Sequence, residues 1–182
     1  MADTDHRRDN GQMKELVLGG TRSGKSLYAE ELAKKSGLEV VYIATALGED
    51  DAMRKRIRRH KKRRPDEWEL IEEPYFIGRV INERASQNTC LIVDCLTLWA
   101  SNLIHKKDRF CMRTERGALI KAIDRTPGHV ILVSNETNLG LVPMDSMAHE
   151  YCDFVGLLHQ QLGEMCERVT FVVAGIPVPV KR

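Results

Sequence analysis

Residues 19–26 read Gly19-Gly20-Thr21-Arg22-Ser23-Gly24-Lys25-Ser26, directly after the apolar run Leu16-Val17-Leu18 and directly before the helix-forming Leu27-Tyr28-Ala29-Glu30-Glu31-Leu32-Ala33. This is G-x-x-x-x-G-K-[ST] set between a strand and a helix, the context in which the pattern forms a phosphate-binding loop. Each residue type has its own reason to be there. Glycines take positive φ and let backbone N–H groups close on an anion. The helix that follows adds the positive end of its dipole. Lys25 is long enough to reach β- and γ-phosphates, and the Ser26 hydroxyl is a ligand for Mg²⁺. A glycine-rich turn that merely contains a lysine does not require all three parts in this order. The stretch therefore predicts a nucleoside triphosphate site.

The bulk of the chain fits one domain built around that loop. Its 182 residues are enough to bury roughly 70% of the unfolded surface, and 42% hydrophobic with 30% charged residues describes an ordinary globular protein. A net charge of +2 excludes a whole-molecule polycation built for nucleic acid. The five cysteines, Cys90, Cys95, Cys111, Cys152 and Cys166, show no C-x-x-C pair or metal-ligand spacing, so they read as reduced thiols of a cytoplasmic protein. No apolar stretch is long enough to span a bilayer. Residues 1–13 are polar, without the apolar core of a signal peptide, and read as a disordered extension before a domain at 14–182.

Short β-branched runs alternate with amphipathic stretches, the pattern of a mostly parallel sheet flanked by helices. The runs at 16–18, 40–44, 91–93, 130–133 and 169–173 are near-continuously apolar, as strands covered on both faces are. Residues 68–71 suggest a further edge strand. In the tail, Pro177 and Pro179 confine a last strand to an edge. Helices are expected at 25–36, 50–62, 75–86, 96–106, 114–125 and 146–167. The fold class is a single P-loop α/β domain.

Leu91-Ile92-Val93-Asp94 ends an apolar run in a carboxylate. A strand-end acid beside a phosphate loop holds Mg²⁺, directly or through water. Asp94 also precedes the helical pattern from Leu96, so helix capping is the competing role.

Residues 54–64 read Arg-Lys-Arg-Ile-Arg-Arg-His-Lys-Lys-Arg-Arg, followed by Pro65. Ile57 and His60 are three apart and share a helical face. Three readings stand side by side: a solvated basic face with one histidine turned inward, a nucleic-acid patch, or a catalytic histidine among cations. The second lacks aromatic interleaving. In the third, neighbouring positive charges favour a neutral imidazole with a free lone pair, and the same cations stabilise charge on phosphate oxygens during displacement. A phospho-histidine linkage would divide one transfer into two steps.

The stretches GGTRSGKS, VVYIATA, EDDAMRKRIRRHKKRRP, WELIEEP, VDCLTLWASNL, VSNETNLGLVP and VAGIPV, taken in order from Glu15 onward, resemble the bifunctional adenosylcobinamide kinase / adenosylcobinamide-phosphate guanylyltransferase family of cobalamin biosynthesis. The spaced set D-x-x-M-x-x-R-I-x-x-H-x-x-x-R-P and W-x-x-x-E-E-P is far more specific than the phosphate loop alone. The resemblance implies a RecA-like P-loop domain that assembles as a homotrimer. It implies phosphorylation of adenosylcobinamide with ATP or GTP. It then implies transfer of GMP from GTP, through a guanylylated histidine, to give adenosylcobinamide-GDP and pyrophosphate. That histidine falls on His60. The family's nucleotide contacts fall on Gly19, Gly20, Thr21, Arg22, Ser23, Gly24, Lys25 and Ser26, on Ile43, Ala44 and Thr45, on Lys61, Lys62, Arg63 and Arg64, and on Glu72 and Asp94. The chain departs from the family after Val142-Pro143. There the family carries A-R-x-F-R-D and then an N-Q pair, whereas this chain has Ala148-His149-Glu150-Tyr151-Cys152-Asp153 and His159-Gln160.

Other residues each admit more than one role. Thr45, after the run 40–44, sits where ligand loops form or where a turn is capped. Asn135, Glu136 and Gly140 follow the run 130–133 at the same edge, and Glu136 is a candidate general base for a substrate hydroxyl. Trp68 and Trp99 are expected to pack rather than stack on a nucleobase. Met144 and Met147 suit either an apolar ligand surface or the core.

Overall fold

The structure, a computed structural model, describes residues 13–48, 51–140 and 143–182, with the side chains of Ala52 and Arg56 outside that description. The expected N-terminal extension therefore lies outside the described residues except at its end. Met13 is already part of the fold, because its carbonyl accepts a hydrogen bond from Val130 N at 2.8 Å.

The described elements are strands β1 (Lys14–Gly19), β2 (Glu39–Ala44), β3 (Glu69–Glu72), β4 (Thr89–Asp94), β5 (His129–Asn135), β6 (Arg168–Val173) and β7 (Ile176–Lys181). The helices are α1 (Lys25–Ser36), α2 (Asp51–Arg63), α3 (Ile77–Arg84), α4 (Leu96–His105), α5 (Arg109–Arg125) and α6 (Ser146–Met165). The seven strands form one sheet in the order β3-β2-β4-β5-β1-β6-β7. All pairings are parallel except β6 with β7. The tail that carries Pro177 and Pro179 is the antiparallel edge strand, where missing N–H groups can face solvent.

The apolar runs are near-continuous because both faces are covered. Leu16, Leu91, Val93 and Leu132 pack under α3–α6 with Trp99, Leu119 and Leu158. Val17, Ile92, Ile131 and Val133 face the other way, with Ala29 and Ala33 of α1. Trp99 is fully buried and donates its indole N–H to Tyr75 O at 2.7 Å, and Trp68 packs on the α1 face. Both tryptophans are packing residues in this fold. Met144 and Met147 are exposed, which removes the core alternative for them.

One helix is longer than its sequence pattern suggested. α5 starts at Arg109 rather than at 114 because Asp108 Oδ1 accepts from Phe110 N and Cys111 N, both at 3.0 Å. That cap offsets two orphan helix donors and lets Met112 reach the core.

α3 and α5 approach closely at Gly78. A Cβ there would sit 2.8 Å from the Ala118 backbone carbon. Gly78→Ala should therefore push the helices apart and lower stability by about 1–3 kcal/mol, read as a shift of the urea midpoint without a change in slope.

Candidate active site

Parallel strands bring their carboxyl ends to one edge of the sheet, and this edge collects the predicted groups. Gly19 at the end of β1 lies beside Asn135 at the end of β5, and Ala44 at the end of β2 lies beside Asp94 at the end of β4. The phosphate loop leaves β1 and enters α1 through Gly24, whose φ of 98° is a left-handed conformation that favours glycine. α1 has no side-chain cap and no acidic residue in its first turn, so its N-terminal N–H groups are open to an anion. Lys25 is buried and its Nζ donates to Gly20 O at 3.0 Å, so the ammonium lies along the loop. Ser23 Oγ is buried with no hydrogen-bond partner among the described residues, a donor available to a ligand oxygen.

The basic helix closes over this loop. Arg63 makes a two-pronged contact with Glu30 of α1, Nε to Oε2 at 2.8 Å and Nη2 to Oε1 at 2.6 Å. Glu30 is 2% exposed, so α2 is docked on α1 by a buried charge. The result is a cleft of about 760 Å³ walled by Thr21 to Leu27 on one side and by Met53, Lys55, Arg59, His60 and Arg63 on the other. His60 also lines a small adjoining pocket with Ile57, Lys61, Arg64, Glu72 and Asp94. The shared face expected for Ile57 and His60 is thus present, and it looks onto the pocket. Here Lys61 pairs with Glu72 at 2.7 Å, and the Arg64 guanidinium stacks 3.8 Å over the Tyr42 ring. Arg64 Nε and Nη1 are buried without hydrogen-bond partners among the described residues. Lys62 is exposed. Arg54, Lys61, Arg63 and Arg64 all have protein partners, so the run is not a uniformly solvated face.

Asp94 accepts from Tyr42 Oη at 2.5 Å, and burial together with the Asp94 charge raises the phenol well above its usual pKa, keeping it a donor. Among the described residues no group of three or more His, Cys, Asp or Glu forms a self-contained metal cage. One hydroxyl, Ser26, and one strand-end carboxylate, Asp94, suit a cation that keeps water and phosphate oxygens as its other ligands, which is the habit of Mg²⁺.

Thr45 and Ile43 have structural surroundings. Ile43 is fully buried in the sheet. Thr45 is also fully buried, and its Oγ1 both donates to Cys95 O at 2.7 Å and accepts from Cys95 N at 2.8 Å. Its backbone is engaged too, with N donating to Asp94 O and O accepting from Asn102 Nδ2. Thr45 therefore clamps the end of β2 to the end of β4 and fixes where Asp94 points.

At the β5 end, Glu136 N donates to Gly19 O at 3.1 Å, which seats Glu136 beside the phosphate loop. Glu150, in the stretch that departs from the family, pairs with Arg109 of α5 at 3.3 Å, and His149 faces Asp153 at 3.5 Å. A larger groove of about 1030 Å³ runs between α5 and α6, with Met112, Phe154 and Leu157 along it. His149 and Asp153 line both this groove and a small pocket bordered by Thr137 and Asn138.

Lys55, Arg59 and Met53 belong to the cleft although sequence reasoning did not single them out. Helical spacing carries the signal, since Lys55–Arg59–Arg63 and Met53–His60 repeat at four and seven. Glu30 and Tyr42 had no such signal, because their partners are distant in sequence.

A phosphate loop at the carboxyl edge of a parallel sheet, facing a cationic helix, defines a RecA-like P-loop nucleotide-binding domain. Solved structures agree on the fold. The RadB recombinase matches with a TM-score of 0.52 at 18% identity, covering 89% of this chain and 74% of that one. The flagellar accessory protein FlaH from Methanocaldococcus jannaschii matches with a TM-score of 0.53 at 14% identity, covering 94% and 79%. Sequence comparison gives the particular family: residues 15–180 match cobinamide kinase / cobinamide phosphate guanyltransferase, and the chain belongs to that family. It is 50% identical to the bifunctional adenosylcobalamin biosynthesis protein CobP of Pseudomonas aeruginosa, over 93% of this chain and 98% of that protein. It is 34% identical to the protein CobU of Escherichia coli, over 91% and 98%. The activities are those of a cobinamide kinase and a cobinamide phosphate guanylyltransferase.

The clamp role of Thr45 separates structure from ligand contact. Thr45→Val leaves the buried Cys95 N–H and carbonyl without their hydroxyl partner and should lower stability by about 1–3 kcal/mol. Thermal melts should show that loss, while nucleotide affinity falls far less than it does for Lys25→Ala.

Proposed function

We propose that one triphosphate cleft serves both reactions and that His60 is the residue that carries GMP. In the kinase step the β- and γ-phosphates of ATP or GTP lie on Gly19–Ser26, with Lys25 along them. The aminopropanol hydroxyl of adenosylcobinamide attacks the γ-phosphorus, Glu136 takes its proton, and the nucleoside diphosphate leaves. The acceptor enters from the Glu136 side, where the neighbouring Thr137 and Asn138 border a small pocket. Mg²⁺, held by Ser26 and Asp94, would neutralise phosphate charge.

In the second reaction a nitrogen of His60 attacks the α-phosphorus of GTP, and the bond to the β-phosphate oxygen breaks to release pyrophosphate. A phosphate oxygen of adenosylcobinamide phosphate then attacks the same phosphorus, the P–N bond breaks, and adenosylcobinamide-GDP forms. Lys55 and Arg59 face the leaving pyrophosphate, while Arg64 and Lys61 border the pocket behind His60. The observation that carries this reading is that His60 lines both the phosphate-loop cleft and the pocket holding Asp94, Glu72 and Arg64. Incubation with α-labelled GTP and Mg²⁺ should leave label on denatured protein through a bond labile in acid and stable in base. His60→Ala should abolish that label and retain phosphorylation of adenosylcobinamide, whereas undiminished labelling of the variant would exclude His60.

The working assembly we propose is a homotrimer in the cytoplasm, as the resemblance implies. No helix among the described residues is long and apolar enough to cross a membrane. Burial pushes the Cys90 and Cys166 thiols up to about 12, which keeps them protonated and unreactive at neutral pH. β7 is exposed along its length, with Ile176, Val178 and Val180 uncovered on an open sheet edge. Apolar strand edges of this kind are usually covered. Light scattering should give about three times the 20.7 kDa chain mass, and Val178→Glu should reduce it. A monomer at micromolar concentration would overturn the assembly.

A further inference from the structure

The end of β5 carries a buried polar chain that the phosphate loop and His60 do not use. Ser134 is fully buried, and its Oγ lies 2.8 Å from His159 Nε2. On the other side of the ring, His159 Nδ1 lies 3.7 Å from Glu136 Oε2. Glu136 in turn gives its Oε1 to Asn138 N at 2.7 Å, and its own N–H goes to Gly19 O. The two side chains are only 9% and 16% exposed. A serine, an imidazole and a carboxylate thus stand in line, and the residue that carries the carboxylate is tied to the phosphate loop through its backbone.

The order of the line excludes a nucleophilic serine, since Ser134 is sealed inside the sheet and Glu136 is the member whose backbone bonds to the phosphate loop. The chemistry runs the other way. Of the two neutral tautomers, the one with the proton on Nδ1 turns a donor toward the carboxylate and lets the Ser134 hydroxyl donate to Nε2. The other would face a lone pair toward a negative charge. Burial lowers the His159 pKa, which favours the neutral ring. A neutral donor steers Oε2 without setting a full positive charge against the oxygen that is to receive a proton. With Oε1 held by the Asn138 N–H, Oε2 is the oxygen left to meet a substrate hydroxyl.

We infer that His159, anchored by Ser134, is a positioning residue that aims Glu136 Oε2 at the acceptor hydroxyl in the phosphoryl-transfer step. This rests on the kinase reading above and adds to it a residue from α6 that does not touch the nucleotide.

The test is a double-mutant cycle on full-length protein, with ATP and adenosylcobinamide as substrates and His60 labelling from GTP as a second readout. Glu136→Gln should lower kinase kcat by about a hundredfold, in the range for loss of a general base. His159→Ala should lower it by about tenfold, as misplacement of a catalytic group does, with KM for ATP within about twofold. His159→Gln, which keeps an amide donor, should recover most of that loss. The decisive result is the pair: Glu136→Gln/His159→Ala should be no slower than Glu136→Gln alone, because His159 acts only through the carboxylate. All four variants should retain His60 labelling, which reports a folded site. Should His159→Ala not fold, Ser134→Ala removes only the anchor hydroxyl and should lower kcat by about threefold with the same masking by Glu136→Gln. Losses that multiply, or a His159→Ala enzyme as fast as wild type, would overturn the inference and leave the kinase reading standing. A wild-type protein that labels His60 but transfers no phosphate to adenosylcobinamide would instead overturn the kinase reading and this inference together.

Discussion

A buried carboxylate on the first helix organises the site. Glu30 is on the helix that begins at Lys25, and inside the fold its charge requires a partner. Arg63 supplies it from the last turn of α2, with two parallel hydrogen bonds that a lysine could not reproduce. Because α1 starts in the phosphate loop, the contact that satisfies Glu30 also holds α2 over that loop. His60 sits one turn before Arg63 and comes with it. An ion pair of this kind adds little stability over apolar packing. Here its consequence is positional, since it ties the histidine to the triphosphate cleft.

The same logic sorts the rest of the basic run. So many cations on one helix would ordinarily be a solvated face. Instead Lys61 meets Glu72, Arg63 meets Glu30, and Arg64 lies on Tyr42. These contacts turn the C-terminal half of α2 inward and leave Lys55 and Arg59 facing the cleft. Cations pinned to protein shape the wall. Those facing the cleft are placed for phosphate charge that forms and leaves during transfer.

Much of this was legible in the sequence, for reasons that can be named. Buried parallel strands must be apolar on both faces, so Val40–Ala44 and Val130–Val133 announced themselves. The phosphate loop is legible because its chemistry is local to eight residues. What escaped was whatever depends on a distant partner. Glu30 beside Glu31 looks like a solvent-facing helix, and only Arg63, 33 positions away, reveals it as buried. Tyr42 reads as an ordinary strand residue until Asp94 is seen to accept its hydroxyl. Thr45 reads equally as a ligand-loop or a turn-capping residue, and only the structure shows its hydroxyl held by Cys95. The start of α5 was hidden because Arg109, Arg113 and Arg116 obscure the apolar face that begins at Met112. His159 stands out in the sequence only as a departure from the family's N-Q pair, since its relation to Ser134 and Glu136 exists only where α6 packs against β5.

The C-terminal hairpin shows how far such dependence reaches. An antiparallel strand with two prolines contributes little to a core, and β7 is exposed throughout. Its turn is another matter. Ala174 and Gly175 both take positive φ, at 51° and 81°, and Gly175 N donates to Ser23 O at 2.8 Å. A Cβ on Gly24 would lie 3.2 Å from Gly175 Cα, so the turn and the loop are in close backbone contact. Residues about 150 positions apart thus hold one another in conformations that most side chains avoid. Loops shaped only by their ligand lose binding free energy to the ordering of their own backbone. A phosphate loop braced by the β6–β7 turn has its shape before nucleotide arrives, which leaves that free energy for the phosphates and for the histidine beside them.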